Sequence, residues 1–371
     1  MKKVGVFFIL IASIFTLFSC KNTAKSLMNV KISRDPDFGY VAIHADFKTL
    51  SLSELNLGDS LDFKFSNGYE LKNIPYFDGY YGKKGDFMFV AYPTYTYPVL
   101  LKQYEENIFD LGHLTENDTV TISLNKKDGF KDYQEAFSIK YSNDRGSFAG
   151  DEIFANYRNI ALGNIKPDRL YRAASACDNT AKRAPYVSDL MSKDKIDYVF
   201  DLSNTKEKLN QYALADLTPE YWKTLYNKNK VFDCKMSPNF YSSEIYSSVK
   251  KLCDGIIDNN GKYLFHCFEG KDRTGFVAIL LEALCGASFD EIETDYFITY
   301  KNYYNLTKES ELNRYQLYRF VRLFPMTNHI IGKEADDDAT KEDLYSGAVN
   351  YLNKCGLTSE RIKALIDKLT K

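Results

Sequence analysis

The sequence predicts a two-part chain: a small all-β barrel or sandwich, followed by a larger α/β domain with a central, mostly parallel sheet flanked by helices. Three observations lead there. Short alternating runs separated by turn formers fill residues 28–141; residues 142–147 carry no apolar side chain to bury; and beyond them strand-like runs alternate with longer helical patterns. With 371 residues, 44% hydrophobic and 26% charged, the chain is long enough for about two domains and too apolar to be disordered. Its 48 Lys and Arg against 50 Asp and Glu give a formal charge of -2, which leaves no basic footprint for nucleic acid. Seven cysteines are too few for a disulfide scaffold, and none stands at zinc-ligand spacing, so no metal and no cofactor is expected.

At the N-terminus Lys2 and Lys3 precede an apolar run over residues 4–18, too short for a membrane span and patterned as a secretory signal. The run ends in Leu17-Phe18-Ser19-Cys20, which resembles the bacterial lipobox. The resemblance implies that residues 1–20 are a removed signal and that Cys20 is lipidated. The expected protein is exported and lipid-anchored to a bacterial cell membrane, without a spanning helix. Residues 21–28 then read as a polar tether.

The β-rich accessory domain is expected over 29–147. Runs at 40–47, 61–65, 87–92 and 120–124 alternate between turns rich in Gly, Asp and Asn. One echo occurs inside it: Leu55-x-x-Gly58-Asp59-Ser60-Leu61-x-Phe63-x-Phe65 and Leu114-x-x-Asn117-Asp118-Thr119-Val120-x-Ile122-x-Leu124, each a polar turn launching an alternating strand. The stretch Tyr92-Pro93-Thr94-Tyr95-Thr96-Tyr97-Pro98 reads as a proline-broken loop. Nothing in this domain names its partner. Over 148–371 a β-rich run at 196–202 precedes a helix marked by Ile245, Val249, Leu252 and Ile256. A turn at 258–261 then leads into an apolar strand at 262–266. Residues 276–284 are apolar almost all round, with Gly286 as a helix stop, and Ile362, Leu365, Ile366 and Leu369 mark an amphipathic C-terminal helix.

Between the 262–266 strand and the apolar helix lies His266-Cys267-Phe268-Glu269-Gly270-Lys271-Asp272-Arg273-Thr274-Gly275. A strand feeding a tight loop into a helix start turns successive backbone N–H groups and the positive helix end into one concavity, suited to phosphate. A cysteine there is placed to act as a thiolate nucleophile. Arg273, six residues on, brings a planar fork for two phosphate oxygens. The loop closely resembles the Cys-x5-Arg phosphate loop of the protein tyrosine phosphatase superfamily. The fuller His-Cys-x-x-Gly-Lys-Asp-Arg-Thr-Gly form is similar to the bacterial atypical dual-specificity or lipid phosphatases. The likeness runs from about residue 156 to the C-terminus: Leu170-Tyr171-Arg172 is similar to a Leu-Tyr-Arg-Ser element with Ala173 replacing the serine, and Asn156-Tyr157-Arg158-Asn159 to an Asn-x-Arg-Asp element with Asn159 where an acid is usual.

The resemblance implies a cysteine-dependent phosphatase hydrolysing phosphate monoesters through a cysteinyl-phosphate on Cys267. Its substrate is a phosphorylated protein or a phosphoinositide, and a protein tyrosine or dual-specificity activity leads. Phosphoinositide or inositol phosphate hydrolysis is the alternative, and a surface-anchored module that only binds phospho-ligands is a reading of another class. Arg273 stabilises the equatorial oxygens together with the loop residues Phe268, Glu269, Gly270, Lys271, Thr274 and Gly275, and Arg172 is assigned to the same substrate-binding set. His266 supports the loop, and Thr274 donates to the thiolate. For the general acid Asp272 is favoured, then Asp201, with Asp233 a third candidate. Lys271 adds positive charge at the mouth and Glu269 opposes it, which disfavours polyanionic inositol phosphates.

Overall fold

The computed structural model describes residues 26–36, 38–334 and 339–371. The apolar run 4–18 and Cys20 lie outside the described residues. No helix among the described residues is long and apolar enough to cross a membrane.

Seven strands close into a barrel: β1 (Ser26–Arg34), β2 (Val41–Ile43), β3 (Ser60–Phe65), β4 (Glu70–Phe77), β5 (Phe87–Val90), β6 (Val99–Lys102) and β7 (Thr119–Lys126). Their order is β1-β2-β6-β5-β4-β3-β7, and β7 pairs back onto β1, so every strand has two neighbours. Of the two expected architectures the barrel is the one formed. Alternation drives it: Leu61, Phe63 and Phe65 of β3 point inward with Val120 and Ile122 of β7, while Lys64 faces out. β1 begins at Ser26, inside the segment read as a tether, because Ser26 and Leu27 pair with Ser123 and Ile122 to close the barrel. That pairing is long-range and leaves no local signal.

The internal echo corresponds to a physical repeat. β3 and β7 are antiparallel neighbours, with Phe63 opposite Ile122 and Phe65 opposite Val120. Each is launched by an aspartate that accepts the amide three residues before it. Asp59 takes the Asn56 N–H at 2.8 Å, and Asp118 takes the Thr115 N–H at 2.9 Å.

The second sheet holds β8 (Arg158–Ile160), β9 (Leu170–Ala173), β10 (Tyr198–Asp201), β11 (Val231–Asp233) and β12 (Tyr263–His266), in the order β11-β10-β12-β9-β8. All pairs from β11 to β9 are parallel, and β8 runs antiparallel to β9. Side chains alternate between two cores. Leu170, Phe200, Tyr263 and Phe265 meet the helices Glu244–Asp258 and Asp272–Leu284 on one face. Tyr171, Val199, Val231 and Leu264 meet the helices Ala184–Asp194 and Glu220–Asn227 on the other. The register aligns Ala173, Asp201, Asp233 and His266 at the carboxyl edge of the parallel strands, where ligands bind in open α/β sheets.

The two parts are joined by more than a solvated linker. After β7, the helix Lys131–Phe137 puts Ala136 and Phe137 into the core of the α/β part, with Phe137 against Tyr318 at 4.6 Å. The loop between β4 and β5 also crosses over: the Tyr80 carbonyl accepts Arg322 Nη2 at 2.5 Å, and Lys83 lies over the Phe320 ring.

Candidate active site

The loop from β12 to the helix Asp272–Leu284 has its carbonyls bound and its amides free. Cys267 O meets His266 Nδ1 at 3.1 Å, Phe268 O accepts the Ser175 N–H at 3.0 Å, and Glu269 O accepts the Tyr303 hydroxyl at 2.7 Å. Gly270 O accepts Arg172 Nη2 at 3.0 Å and Asn156 Nδ2 at 3.2 Å, and Lys271 O accepts the Gly275 N–H at 2.7 Å. No backbone N–H from Phe268 to Arg273 finds an acceptor among the described residues. Six unspent donors in a tight loop at a helix start form an anion nest. Gly270 makes this possible: its φ is +68°, and a Cβ there would lie 2.1 Å from the Ala173 carbonyl oxygen.

Beneath the nest lies a buried charge network. Arg172 Nη1 reaches Asp295 Oδ2 at 2.5 Å, Arg158 Nε reaches Asp295 Oδ1 at 2.6 Å, and both guanidinium groups are buried or nearly so. Burial alone would raise the Asp295 carboxyl; Arg158 and Arg172 outweigh it and hold it well below the usual carboxylate range. Arg172, expected among the substrate-binding residues, is therefore a strut under the loop, since its fork is consumed by Asp295 and the Gly270 carbonyl. Arg158 of the Asn-x-Arg element shares this duty, whereas Asn159 closes the turn between β8 and β9 by accepting the Asp168 N–H.

Glu282, on the buried helix, shares this interior, close enough to Asp295 for the two carboxyls to interact. Burial, and then the charge of Asp295, push its carboxyl well up. The folded state thus keeps a proton that the unfolded chain gives up through the ordinary carboxylate range. The stabilisation from holding that proton is complete below this range and is lost as pH rises toward the folded pKa. Glu282→Gln is expected to fold and to escape this loss. Its urea midpoint should gain on the wild type as pH rises from about 5 to about 8.

At the mouth, Cys267 is 4% exposed and heads the nest. Arg273 rests one nitrogen, Nη1, on the Leu202 carbonyl at 3.3 Å, leaving the rest of its fork uncommitted among the described residues. Thr274 Oγ1 is buried with no hydrogen-bond partner among the described residues, and its expected bond to Cys267 is not formed in this structure. Glu269 and Lys271 pair at 2.7 Å, and the Tyr141 hydroxyl donates to the other Glu269 oxygen. Burial opposes both charges. Lys271 and Tyr141 nevertheless hold Glu269 below its ordinary range, and Asp272 and Glu269 hold Lys271 well above its own. Tyr141 comes from the joining segment and packs edge-on against Tyr303 at 4.7 Å, which makes that segment a wall of the site.

The candidate acids separate clearly. Asp272 opens the helix beside the nucleophile loop and has no hydrogen-bonded partner among the described residues. Its charge faces Arg322: burial works against that guanidinium, but Asp272 and neighbouring tyrosines hold it above its ordinary value. Asp201 is fully buried, and it accepts the Ser203 and Asn204 amides at 2.7 and 2.9 Å and Asn204 Nδ2 at 2.9 Å. It caps the turn after β10 and does not sit on the rim. Asp233, on the edge strand, is paired with Lys251 at 2.6 Å. Cys234, Cys253, Cys285 and Cys355 are buried packing residues, and burial pushes the Cys285 and Cys355 thiols to about 12.

Sequence reasoning did not single out Tyr141, Tyr303 or Arg322 and gave Asp295 no role. Each reaches the site across a long stretch of chain, and aromatic or ionic residues in helices carry no marker of what they face.

Fold and nest together define the class, a phosphoric monoester hydrolase of the protein-tyrosine-phosphatase type. A family model described as the tyrosine phosphatase family matches residues 154–371, and the chain belongs to that family. Among solved structures, TpbA of P. aeruginosa is similar at 15% identity, over 55% of this chain and 88% of that chain, with a TM-score of 0.21. No curated protein matches the chain.

Proposed function

We propose that Cys267 attacks the phosphorus of a phosphotyrosine or other protein phosphomonoester, forming a cysteinyl-phosphate that water then hydrolyses. The observation that carries this reading is the loop itself, whose six amides from 268 to 273 find no acceptor among the described residues and which also holds Cys267 and a largely uncommitted Arg273 fork. The amides and Arg273 stabilise the charge spread over the equatorial oxygens. Asp272, the unbonded carboxyl at the loop, protonates the leaving oxygen. Thr274, whose hydroxyl is otherwise orphaned, turns to the thiolate. The chain is exported and held at a bacterial membrane through Cys20.

The Glu269–Lys271 pair favours protein phosphomonoesters over inositol polyphosphates, because the lysine charge is already spent inside the protein. The purified protein is expected to release phosphate from phosphotyrosine peptides in the presence of a chelator, with lower kcat/KM on phosphoinositides and on inositol polyphosphates. A reversed preference contradicts the protein-phosphatase reading. Tight phosphopeptide binding without any phosphate release contradicts the enzymatic one.

A further inference from the structure

Behind the nest, three side chains from separate strands and loops converge in the interior. Cys177 Sγ lies 3.5 Å from Asp201 Oδ2, and His266 Nε2 lies 3.8 Å from the same oxygen. All three ligand atoms fall within 4.8 Å of one another, and the three residues are buried. The hydrogen bonding of His266 orients its ring. Nδ1 sits 3.1 Å from the Cys267 carbonyl, which can only accept, so Nδ1 carries the ring proton. Nε2 is fully buried and has no hydrogen-bond partner among the described residues, and it faces Asp201 Oδ2, which already accepts Asn204 Nδ2 at 2.9 Å. A buried ring nitrogen left without a partner is costly, and a cation held together with the neighbouring thiol and carboxylate would satisfy it.

We propose that Cys177, Asp201 and His266 form a binding site for a thiophilic divalent cation of the zinc class, set directly behind the phosphate-binding loop. The donor set is one that zinc takes. At metal–ligand distances of about 2.0–2.3 Å, tetrahedral ligands stand roughly 3.5 Å apart, and both separations from Asp201 are already near that value. A ring whose other N–H is bound to a backbone carbonyl is the usual second-shell arrangement for a metal-bound histidine. The charge balances too. Metal entry displaces the Cys177 thiol proton to solvent and forms a sulfur–metal bond, so that thiolate, carboxylate and neutral imidazole cancel a divalent ion. Burial and Asp201 push the Cys177 thiol well up, so without a metal the sulfur stays protonated. The chain spacing of 177, 201 and 266 hides this site from any search for local ligand motifs.

The test is a Co²⁺ titration of the full chain, reduced and stripped with chelator. One equivalent is expected to give a sulfur-to-cobalt charge-transfer band in the near ultraviolet, with visible bands of a four-coordinate ion, and Zn²⁺ should displace it. The band should be lost in Cys177→Ser and retained in Cys267→Ser. The second variant also separates this site from catalysis, since it is expected to lose hydrolysis while keeping the metal. No band in the wild type, a band that survives Cys177→Ser, or one that disappears in Cys267→Ser overturns the proposal. If Cys177→Ser does not fold, the zinc-edge absorption spectrum of the wild type decides. One sulfur among nitrogen and oxygen neighbours is expected, and a shell without sulfur or with several sulfurs overturns the site.

Discussion

Cys267→Ser is expected to lower hydrolysis of an aryl phosphate by at least about 10⁴-fold, the scale on which removal of a covalent nucleophile is felt, while the protein still folds and still binds phosphate. The size of the loss follows from what surrounds the side chain. A serine hydroxyl needs a base to become a nucleophile. His266, the adjacent imidazole, has its Nδ1 on the Cys267 carbonyl and its Nε2 turned toward Asp201, on the far side of the loop. Retained binding follows from the amides of residues 268–273 and from Arg273, none of which the substitution touches. Steady-state assay and isothermal titration with a phosphotyrosine peptide check both halves. Activity within tenfold of the wild type contradicts the assignment of the nucleophile.

Asp295→Asn is the substitution with the largest expected effect on stability. It leaves Arg172 and Arg158 facing each other in the interior without their shared carboxylate, and removing one partner of a buried ion pair costs about 3–5 kcal/mol. The loop also loses its footing, since Arg172 is the donor to the Gly270 carbonyl. Activity should therefore fall with stability, although Asp295 is buried beneath the loop and stands apart from the mouth. The pH dependence has a definite sign. The Asp295 carboxyl is held below its unfolded value, so its contribution is present above the ordinary carboxylate range and is lost as pH falls toward the folded pKa. The gap between wild type and variant, read from urea denaturation, is expected to narrow on acidification. A gap that widens contradicts this account of the network.

What the sequence disclosed was local. His266 to Gly275 is contiguous, and its strand, glycine and helix start lie within hydrogen-bonding reach of one another, so the nest is legible without knowing the rest of the chain. The echo around Asp59 and Asp118 was legible for the same reason, since each aspartate caps a turn three residues wide. Long-range partners were not. Arg172 reads equally well as a substrate clamp or a strut, and only its distance to Asp295, more than a hundred residues away, separates the two. Asp201 sits at a strand end that faces the site, yet the Ser203 and Asn204 amides draw its carboxylate into a turn. Tyr141 lies beside a polar, turn-rich stretch that reads as a linker. Its contacts are with Glu269 and with Tyr303, both more than a hundred residues further along the chain.

The central claim is that the nest serves covalent phosphoryl transfer on Cys267, and rapid acid quench during turnover of a phosphorylated substrate, followed by peptide mass spectrometry, tests it most directly. The expected result is one phosphoryl group on the peptide containing Cys267, accumulating in Asp272→Asn if its hydrolysis slows more than its formation, and absent in Cys267→Ser. Turnover at the wild-type rate with no phosphorylated cysteine, or with the phosphoryl group on another residue, contradicts the account.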